Sequence, residues 1–530
     1  MERHASETYD IPGEGLLSVS AGGRGCPAAA GSPKAAPPFR FSRMGPDGAG
    51  HQLDPDTTES LATNMAAGGG TGVERSHVPA GYTYLGQFIA HDLTFDKTCV
   101  TLGENVSPGR LLQGTSPVLD LDSLYGAGPR DPASAAFYED DGVHLKVGGT
   151  VPGVDGREAD GFDLPRGAGS TPAELRTAVV ADPRNDDNLA VAQTHLAFIR
   201  FHNRLVDTLP ASVPEALRFD RARELATLHY QWLIRHDYLP RICAKSVLDD
   251  VFANGRKAFE SAAEPTAFPT MPIEFSIGTF RLGHSMVRGV YRWSRRIPIV
   301  TLDQLFEFSG KGGDLGGNDR LPTKMIADFR GLYDFRRAAP AGLLANKPRL
   351  NMAQRIDTRL ASGLTELPPA TFGEQEVPRE DPRRNLAFRN LTRAQMVGLA
   401  SGPQMADFLI RCGVPLTRLA PEQILGVDDG ARLSGFLPDR KAALVERTPL
   451  WFYILREAES NRGRLNGVGA RIVAETFHRA MEGSEASIVR DPGWRPTLGP
   501  NSKTFRMTDL LLFACEGSLR LLAPLEPDTA

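Results

Sequence analysis

The sequence predicts a mainly α fold, in one large domain with little β structure. Several long segments after residue 76 repeat apolar side chains at steps of three, four or seven, which is the spacing of one buried helix face. Few segments alternate in the manner of exposed strands, and no internal repeat divides the chain. At 530 residues, one large helical domain is as compatible with the length as several average domains.

The chain begins with a segment of different texture. Residues 1–75 are rich in Gly, Ala, Pro and Ser and show little periodic apolar patterning, so they predict an extended, partly disordered arm. The domain itself is expected over residues 76–525.

The clearest helix follows the segment DPRNDDN, where Leu189 and Leu196 lie on one apolar stripe. Asp186, Asp187 and Asn188 stand at its start, and such residues accept hydrogen bonds from the free backbone N–H groups of a helix N-terminus. A second helix is expected over 220–238 and should end before Pro240. Further helices are predicted at 300–308, 393–411, 449–461, 468–481 and 507–513.

Composition excludes several classes of protein. With 41% hydrophobic and 23% charged residues, the chain resembles neither a disordered nor a membrane protein. Sixty basic residues against sixty-four acidic ones give a net charge of -4, and no basic stripe indicates a nucleic-acid partner. No uncharged apolar stretch is long enough for a transmembrane segment.

The five cysteines are scattered and odd in number, which argues against a disulfide framework or a paired zinc site and favours a reducing compartment. The N-terminus lacks the charged and apolar regions of a secretory signal. We therefore expect a cytoplasmic protein, with secretion by another route left open.

Two segments carry side chains suited to chemistry. In GQFIAHDLTFD, His91 stands in apolar company beside Asp92; a lone histidine of this kind is more often a hydrogen-bonded structural residue. In SPVLDLDSLYG, oxygens recur at every other position, from Ser116, the Val118 carbonyl, Asp120 and Asp122. Calcium takes six to eight oxygen ligands, so this loop could wrap the ion with Asp92 joining from elsewhere, although a solvated acidic turn fits equally well.

Three further residues gain meaning only together. Arg184 precedes the strong helix, His284 lies in the apolar segment FRLGHSMV, and Asn390 stands one turn before Arg393. Alone, Arg184 is typical of a surface cation, His284 of a buried structural histidine, and Asn390 of a polar surface position. Their order and register, with GQxxxHD, LDLDSLYG and HxxxxRxHNR, resemble the peroxidase–cyclooxygenase superfamily, and within it the bacterial branch related to animal myeloperoxidase. The resemblance runs from about residue 80 to 515.

This resemblance implies a large, single-domain helical haem peroxidase fold and a set of site residues. His91 matches the distal histidine that moves the peroxide proton, Arg184 the distal arginine, and Gln87 a glutamine lining the same pocket. His284 matches the axial ligand of the haem iron, Arg281 an arginine near a haem propionate, and Asn390 the hydrogen-bond acceptor of the axial histidine.

The resemblance also implies a structural calcium ion. It would be bound by Asp92, Ser116, Val118, Asp120 and Asp122, and would hold the distal histidine from behind.

Three positions depart from the family. Ala90 and Asp187 stand where many relatives carry the aspartate and glutamate esterified to the haem, and Asn188 replaces the methionine of myeloperoxidase's sulfonium bond. We therefore expect haem b that is mostly non-covalent, with an ester, if one forms, at Asp187. Arg281 stands where cyclooxygenases and related fatty-acid dioxygenases carry a radical tyrosine, which argues against fatty-acid oxygenation.

The implied activity is reduction of hydrogen peroxide through a ferryl intermediate with oxidation of a small organic or halide donor, as in an oxidative stress response. The alternatives are a fatty-acid dioxygenase of the same superfamily and a non-catalytic scaffold that binds haem and calcium. The histidines His195, His202, His229 and His236 recur at seven-residue spacing on two helices, but no HExxH pattern accompanies them, so packing roles are expected.

Overall fold

The computed structural model describes residues 39–66, 76–98, 100, 102–152, 161–339, 341–344, 347–367, 378–426 and 430–523. Within these residues the regular secondary structure is almost entirely helical. The three sheets are pairs of two-residue strands: β1 (Phe41–Ser42) with β4 (Met271–Pro272), β2 (Gly148–Gly149) with β3 (Phe162–Asp163), and β5 (Val290–Tyr291) with β6 (Val300–Thr301). The predicted mainly α fold with little β structure is confirmed.

The α-helices in chain order are α1 (Pro55–Ala66), α2 (Gly81–Leu93), α3 (Asp122–Tyr125), α4 (Pro172–Arg176), α5 (Leu189–Thr208), α6 (Glu215–Leu233), α7 (Leu239–Ile242), α8 (Lys245–Asn254), α9 (Gly283–Met286), α10 (Leu302–Glu307), α11 (Ser362–Thr365), α12 (Leu386–Met396), α13 (Gly402–Arg411), α14 (Pro421–Leu425), α15 (Pro438–Glu446), α16 (Leu450–Ser460), α17 (Gly467–Gly483), α18 (Met507–Ala514) and α19 (Leu519–Leu522). Short 3-10 and π turns connect many of them.

Helix α5 is the central element of the core. It packs against α2, α6 and α18, and buried residues line most of its length. A helix buried on several sides needs a satisfied N-terminus, because its first N–H groups have no partner within the helix. The Asn188 side chain accepts from the Val191 N–H and provides that cap.

Two predicted helix limits differ from the structure. The helix after residue 220 does not stop before Pro240: α6 runs into a π turn (Ile234–Tyr238) and then into α7, which contains the proline near its start. Proline is tolerated in a first helical turn because its missing N–H would have no partner there. The single helix predicted over 393–411 is two helices, α12 and α13, separated at Gly398, which has φ +57°.

Part of the N-terminal segment belongs to the fold. Helix α1 packs on α12 and buries Leu61 and Met65 completely, and β1 pairs with a strand more than 200 residues away. The boundary predicted near residue 75 is therefore too late, because a small-residue composition concealed this helix. Residues 1–38 and 67–75 lie outside the described residues.

Two further expectations from the sequence concern membrane crossing and the cysteines. No helix in the described ranges has the length and apolarity that a membrane crossing requires. Cys243, Cys412 and Cys515 are free thiols, while Cys26 and Cys99 lie outside the described residues.

Candidate active site: a cavity between two buried histidines

A cavity of about 320 Å³ lies between α2 and α9. His91 lines it from α2 and His284 lines it from α9, although 193 residues of sequence separate the two. Its apolar wall is formed by Phe280, Val287, Leu302, Phe306, Leu364, Leu367 and Leu386. A concave, largely apolar space with a few polar groups aimed into it is the usual form of a cofactor site.

Helix α2 brings three of the predicted positions to the cavity. Gln87 and His91 are four residues apart and so share one face of the helix, and Ala90 also lines the space. Burial, with a further contribution from the nearby Arg184 charge, lowers the pKa of His91 to about 3. The imidazole is therefore neutral near pH 7 and retains one unprotonated ring nitrogen.

Asn185 contacts the ring of His91. The two side chains are hydrogen-bonded through His91 Nδ1 and Asn185 Oδ1 at 2.9 Å, and both residues are buried. The other ring nitrogen of His91, Nε2, is thereby left for the cavity.

Arg184 lines the same cavity, but most of its donors are already used. Its guanidinium forms a buried ion pair with Asp182 and donates to the main-chain oxygens of Thr94 at 2.7 Å and His91 at 2.9 Å. The arginine therefore fixes the C-terminal end of α2 as well as placing a positive charge beside His91. Asp182 offsets part of that charge, which the sequence analysis did not foresee.

A close packing contact sets the position of α2 next to these residues. Gly86 faces Tyr238, the last residue of the π turn, and a Cβ at residue 86 would lie 2.4 Å from the tyrosine hydroxyl. Both residues line the cavity. A π turn inside a helical segment is frequently found at a functional site.

The polar rim near α5 contains Gln87, Asn188, Asp187 and Lys311. The Asn188 amide donates to Gln87 Oε1 at 2.9 Å, so Gln87 presents its own amide N–H groups to its remaining surroundings. Lys311 Nζ lies 3.5 Å from Asp187 Oδ1. Burial raises the pKa of Asp187 to about 6, an effect that the Lys311 charge partly opposes.

Of the three residues expected to cap α5, Asn188 provides the cap, and the Asp187 carboxylate faces Lys311 instead. The lysine arrives on a glycine-rich loop over 309–313 that packs against the main chain of Asp187. The Ser309 hydroxyl donates to the Asp187 carbonyl, and a Cβ at Gly312 would lie 2.0 Å from that oxygen. Only a glycine allows this approach.

On the opposite side of the cavity, His284 pairs with Asn390 of α12. His284 Nδ1 lies 2.9 Å from the Asn390 amide nitrogen, and the Asn390 oxygen accepts from Arg281 at 2.5 Å. Burial and the Arg281 charge lower the pKa of His284 to about 3. The imidazole is therefore available as a neutral ligand.

Asn390 was predicted to accept the Nδ1 proton of His284. In the structure its amide oxygen instead accepts from Arg281, and its amide nitrogen faces His284. A histidine that binds a metal through Nε2 carries its proton on Nδ1 and donates it. A half-turn of the Asn390 amide, with Arg281 released from it, meets that requirement. Arg281 and Arg389 both line the cavity and supply cationic groups for carboxylates of a cofactor.

Behind α2, three buried carboxylates meet. Ligand oxygens of Asp92, Asp120 and Asp122 all lie within 4.8 Å of one another. Asp92 follows His91 in the helix and points to the opposite side, where its Oδ1 accepts from the Ser123 N–H and hydroxyl. Burial, followed by repulsion from Asp122 and Asp120, raises the pKa of Asp92 well above its usual range.

The cluster has the chemistry of a divalent cation site. Arg223 approaches Asp120 at 3.8 Å, which leaves an excess of negative charge that a dication would neutralise. The Oδ2 of Asp92 and the Oγ of Ser116 are buried and have no hydrogen-bond partner among the described residues. Val118 is buried in the same segment. Hard oxygen ligands of this type suit calcium.

The four spaced histidines have separate roles. His195 is buried and packs edge-on against Phe88, and His202 bridges the Tyr125 hydroxyl and the Val143 carbonyl. His229 contacts the Leu225 carbonyl, and the His236 ring packs at a tilt against Trp232. The carboxylate cluster is the group of possible metal ligands found in the described ranges, and it contains no histidine.

Four residues of the site were missed from the sequence: Asn185, Asp182, Lys311 and Arg389. Asn185 and Asp182 flank Arg184 within the DPRNDDN motif, so their proximity to the site was available as a signal. Lys311 had only the glycines around it as a signal, in SGKGG.

Comparison with known proteins agrees with this geometry. The family model for animal haem peroxidases matches residues 91–308. A peroxidase-like protein from Margaritifera margaritifera is 25% identical over 123 residues, a stretch that covers 23% of this chain and 16% of that protein's length.

Among solved structures, peroxidase A from Dictyostelium discoideum superposes with a TM-score of 0.59 at 15% identity, covering 92% of this chain and 95% of that one. A fatty acid alpha-dioxygenase from Oryza sativa gives a TM-score of 0.54 at 12% identity, covering 90% and 79%. At these identities the structural likeness shows the fold alone. The chain is thus similar to animal haem peroxidases in sequence over residues 91–308, and similar in fold to a peroxidase and to a fatty acid alpha-dioxygenase over about nine tenths of its length.

Proposed function

We propose that the protein is a peroxidase that binds haem b in the cavity between His91 and His284, binds calcium at the carboxylate cluster, and reduces hydrogen peroxide at the expense of a small organic or halide donor. The observation that carries the proposal is the pair of neutral histidines lining one cavity. One is available as an axial ligand and the other as a base.

When bound, haem supplies the iron at which the peroxide oxygen–oxygen bond is cleaved and the oxidising equivalents are held. His91 acts at the peroxide oxygens: its neutral Nε2 takes the proton from the inner oxygen and returns it to the outer one. The small donor would supply the two electrons that the reduction of hydrogen peroxide to water consumes.

Arg184 supports this proton transfer in two ways. Its charge favours the neutral form of His91 and stabilises negative charge that develops on the peroxide. Its hydrogen bonds to the main-chain oxygens of His91 and Thr94 hold the base in place. Gln87 lies one turn before His91 and offers amide donors to water or to an anionic donor.

His284 would hold the iron through Nε2, with Asn390 accepting the Nδ1 proton. Arg281 and Arg389 would bind the haem propionates, which would draw Arg281 away from the Asn390 oxygen. Calcium would join Asp92, Ser116, Val118, Asp120 and Asp122, and so brace α2 directly behind the base.

Fatty-acid oxygenation is the second candidate, because one structural relative is a fatty acid alpha-dioxygenase. Two tyrosines, Tyr84 and Tyr238, line the cavity, but Arg281 stands at the position where the resembled dioxygenases carry their radical tyrosine. We therefore rank peroxidase activity first. A non-catalytic scaffold for haem and calcium ranks last, because it would need neither a neutral His91 nor a cation beside it.

Stopped-flow spectroscopy separates the three functions. The protein loaded with haem and calcium is mixed with hydrogen peroxide and a panel of organic and halide donors, and oxygen uptake is followed separately with a long-chain unsaturated fatty acid. A peroxidase shows a rapid change in the haem spectrum that a donor reverses, without oxygen uptake. Oxygen uptake with the fatty acid indicates a dioxygenase, and an unreactive haem band indicates a scaffold.

Cytoplasmic location, a bacterial source and a role in oxidative stress stay predictions from the sequence.

A further inference from the structure

Asn185 follows Arg184 in the loop before α5 and had no role in the sequence analysis. We propose that Asn185 is a positioning residue for the peroxide reaction: its side-chain oxygen holds the His91 ring in the tautomer whose unprotonated Nε2 faces the cavity. The inference deepens the proposed function and rests on it, because it concerns the base that a peroxidase would use.

The contact selects one tautomer of the base. A neutral imidazole has one N–H and one lone pair, on different nitrogens. Because Asn185 Oδ1 lies 2.9 Å from His91 Nδ1, the proton belongs on Nδ1. The lone pair then belongs on Nε2, the nitrogen that can receive a proton from peroxide in the cavity.

An amide is the appropriate acceptor here. It accepts the Nδ1 proton without bringing a negative charge next to the ring. A carboxylate at the same place would favour the charged, doubly protonated ring, which has no lone pair to offer.

The same loop holds His91 by its main chain. Arg184 donates to the His91 carbonyl, and the Asn185 N–H is bonded to the Asp182 carbonyl within the 3-10 turn Pro183–Asp186. Asp182 caps that turn by accepting from the Arg184 N–H. Two consecutive residues of one rigid turn therefore fix the backbone and the ring of a single histidine.

The remaining polar atom of Asn185 argues against a purely structural role. Its Nδ2 is buried and has no hydrogen-bond partner among the described residues, and an unsatisfied buried donor costs about 1–3 kcal/mol. A side chain kept only for stability would be expected to satisfy both ends of its amide. The hydrogen bond that the Asn185 side chain does form is the one to His91, the proposed base.

The test compares Asn185→Leu, Asn185→Asp and the control Asn203→Leu. Leucine removes the acceptor at similar size, aspartate retains an acceptor and removes the donor, and Asn203 hydrogen-bonds the main chain of Leu145 away from the cavity. All variants are loaded with haem and calcium, and their absorption spectra are compared first, so that only variants that bind haem in the same way enter the test. Stopped-flow mixing then gives the rate of the haem spectral change with hydrogen peroxide and with a peroxyacid above its pKa.

The two oxidants differ in their need for a base. Hydrogen peroxide must lose a proton to the enzyme, whereas a peroxyacid anion has already lost it and leaves a carboxylate that needs no proton. We expect Asn185→Leu to react with hydrogen peroxide roughly tenfold or more slowly and with the peroxyacid at nearly the original rate. Asn185→Asp retains more of the peroxide rate than Asn185→Leu, and the control is unchanged.

Ligand binding gives a readout without turnover. Hydrogen cyanide deposits a proton on the distal base as it binds ferric haem, whereas carbon monoxide binds ferrous haem without proton transfer. Asn185→Leu should slow cyanide association and leave carbon monoxide association unchanged.

Three results would overturn the proposal: an unchanged peroxide rate in Asn185→Leu, an equal slowing with both oxidants and both ligands, or an aspartate variant that is as slow as the leucine variant at alkaline pH, where the carboxylate no longer keeps the ring protonated. The last would mean that the amide donates to His91 instead of accepting from it. If the unmodified protein binds both ligands but does not react with peroxide, the proposed function fails, and the cyanide comparison still decides the role of Asn185.

Discussion

Lys311 and Asp187 form an ion pair on the rim of the cavity, with 3.5 Å between the ammonium nitrogen and a carboxylate oxygen. Asp187 occupies the position at which relatives of the resembled family carry an ester-forming glutamate. Its carboxylate is thus one methylene shorter than theirs and is attracted to a lysine. Lys311 is held there by a loop that packs against the main chain of Asp187.

The ion pair predicts non-covalent haem. After loading and exposure to peroxide, acid–organic extraction should remove haem from most molecules, and intact-protein mass spectrometry should show the bare chain. Lys311→Met should raise the haem-bearing fraction, with the added mass mapping to Asp187, and Lys311→Met with Asp187→Asn should abolish it. A haem-sized mass at any other residue of the unmodified protein would show that this account of the cavity is incorrect.

The carboxylate cluster predicts one tightly held calcium per chain. Asp120→Ala should lose the ion and slow the peroxide reaction roughly tenfold or more, the usual scale when a group supporting a site is removed. Elemental analysis measures the ion, and Asp131→Ala is the control because Asp131 is a partly exposed aspartate of the following turn, where its side chain accepts from the Ala133 N–H. Active protein without calcium would refute the site.

Axial ligation by His284 predicts loss of haem, or of its original absorption spectrum, in His284→Ala. Without this ligand the iron would be held by packing alone. Added imidazole should restore part of the spectrum by filling the space left by the side chain. His229→Ala serves as the control, because that histidine contacts the Leu225 carbonyl and does not line the cavity. An unchanged spectrum in His284→Ala would require another ligand.

The distal pair predicts large effects on the peroxide reaction. His91→Ala and Arg184→Ala should each slow it by roughly two orders of magnitude. Asp182→Asn should produce a smaller decrease, because the arginine loses its carboxylate partner but retains its bonds to the His91 and Thr94 carbonyls. The double variant that combines Asp182→Asn with Arg184→Ala should react no more slowly than Arg184→Ala alone. Additive effects would show that Asp182 acts independently of the arginine.

The lowered pKa of His91 predicts the acid limit of the reaction. A base must be unprotonated to accept a proton, so activity is lost as pH falls through its pKa. Since that pKa is about 3, the rate with hydrogen peroxide should be nearly constant from about pH 5 to 8. Stopped-flow rates across that range, with the haem spectrum recorded as a control for unfolding, check this. A fall in rate centred near pH 6.5, the ordinary histidine value, would contradict it.

The sequence predicted the features that depend on local order. Residues four apart on one helix share a face, so Gln87 and His91 could be placed together, and the neighbouring Asp92 could be placed on another side. The start of α5 could also be predicted from local sequence, because the three candidate capping residues stand next to one another before the apolar stripe. The residues that match the family then indicated which distant segments meet.

The features that were not predicted depend on segments far apart in the chain. Lys311 reaches Asp187 across 124 positions because of the glycine-rich loop, and periodicity carries no information about such a contact. The same holds for Arg281, which competes for the Asn390 oxygen. The break between α12 and α13 escaped because apolar spacing continues across Gly398, whose positive φ ends the first helix.

The contact between Gly86 and Tyr238 has a consequence for engineering. A methyl group at residue 86 would clash with the Tyr238 hydroxyl, so either the tyrosine side chain or α2 would have to shift, and a library aimed at new donors should leave this position alone. Leu364 of α11 and the nearby Leu367 also line the cavity, and neither belongs to α2 or to the π turn. Diversity introduced there would alter the volume offered to a donor while the acid–base apparatus keeps its geometry.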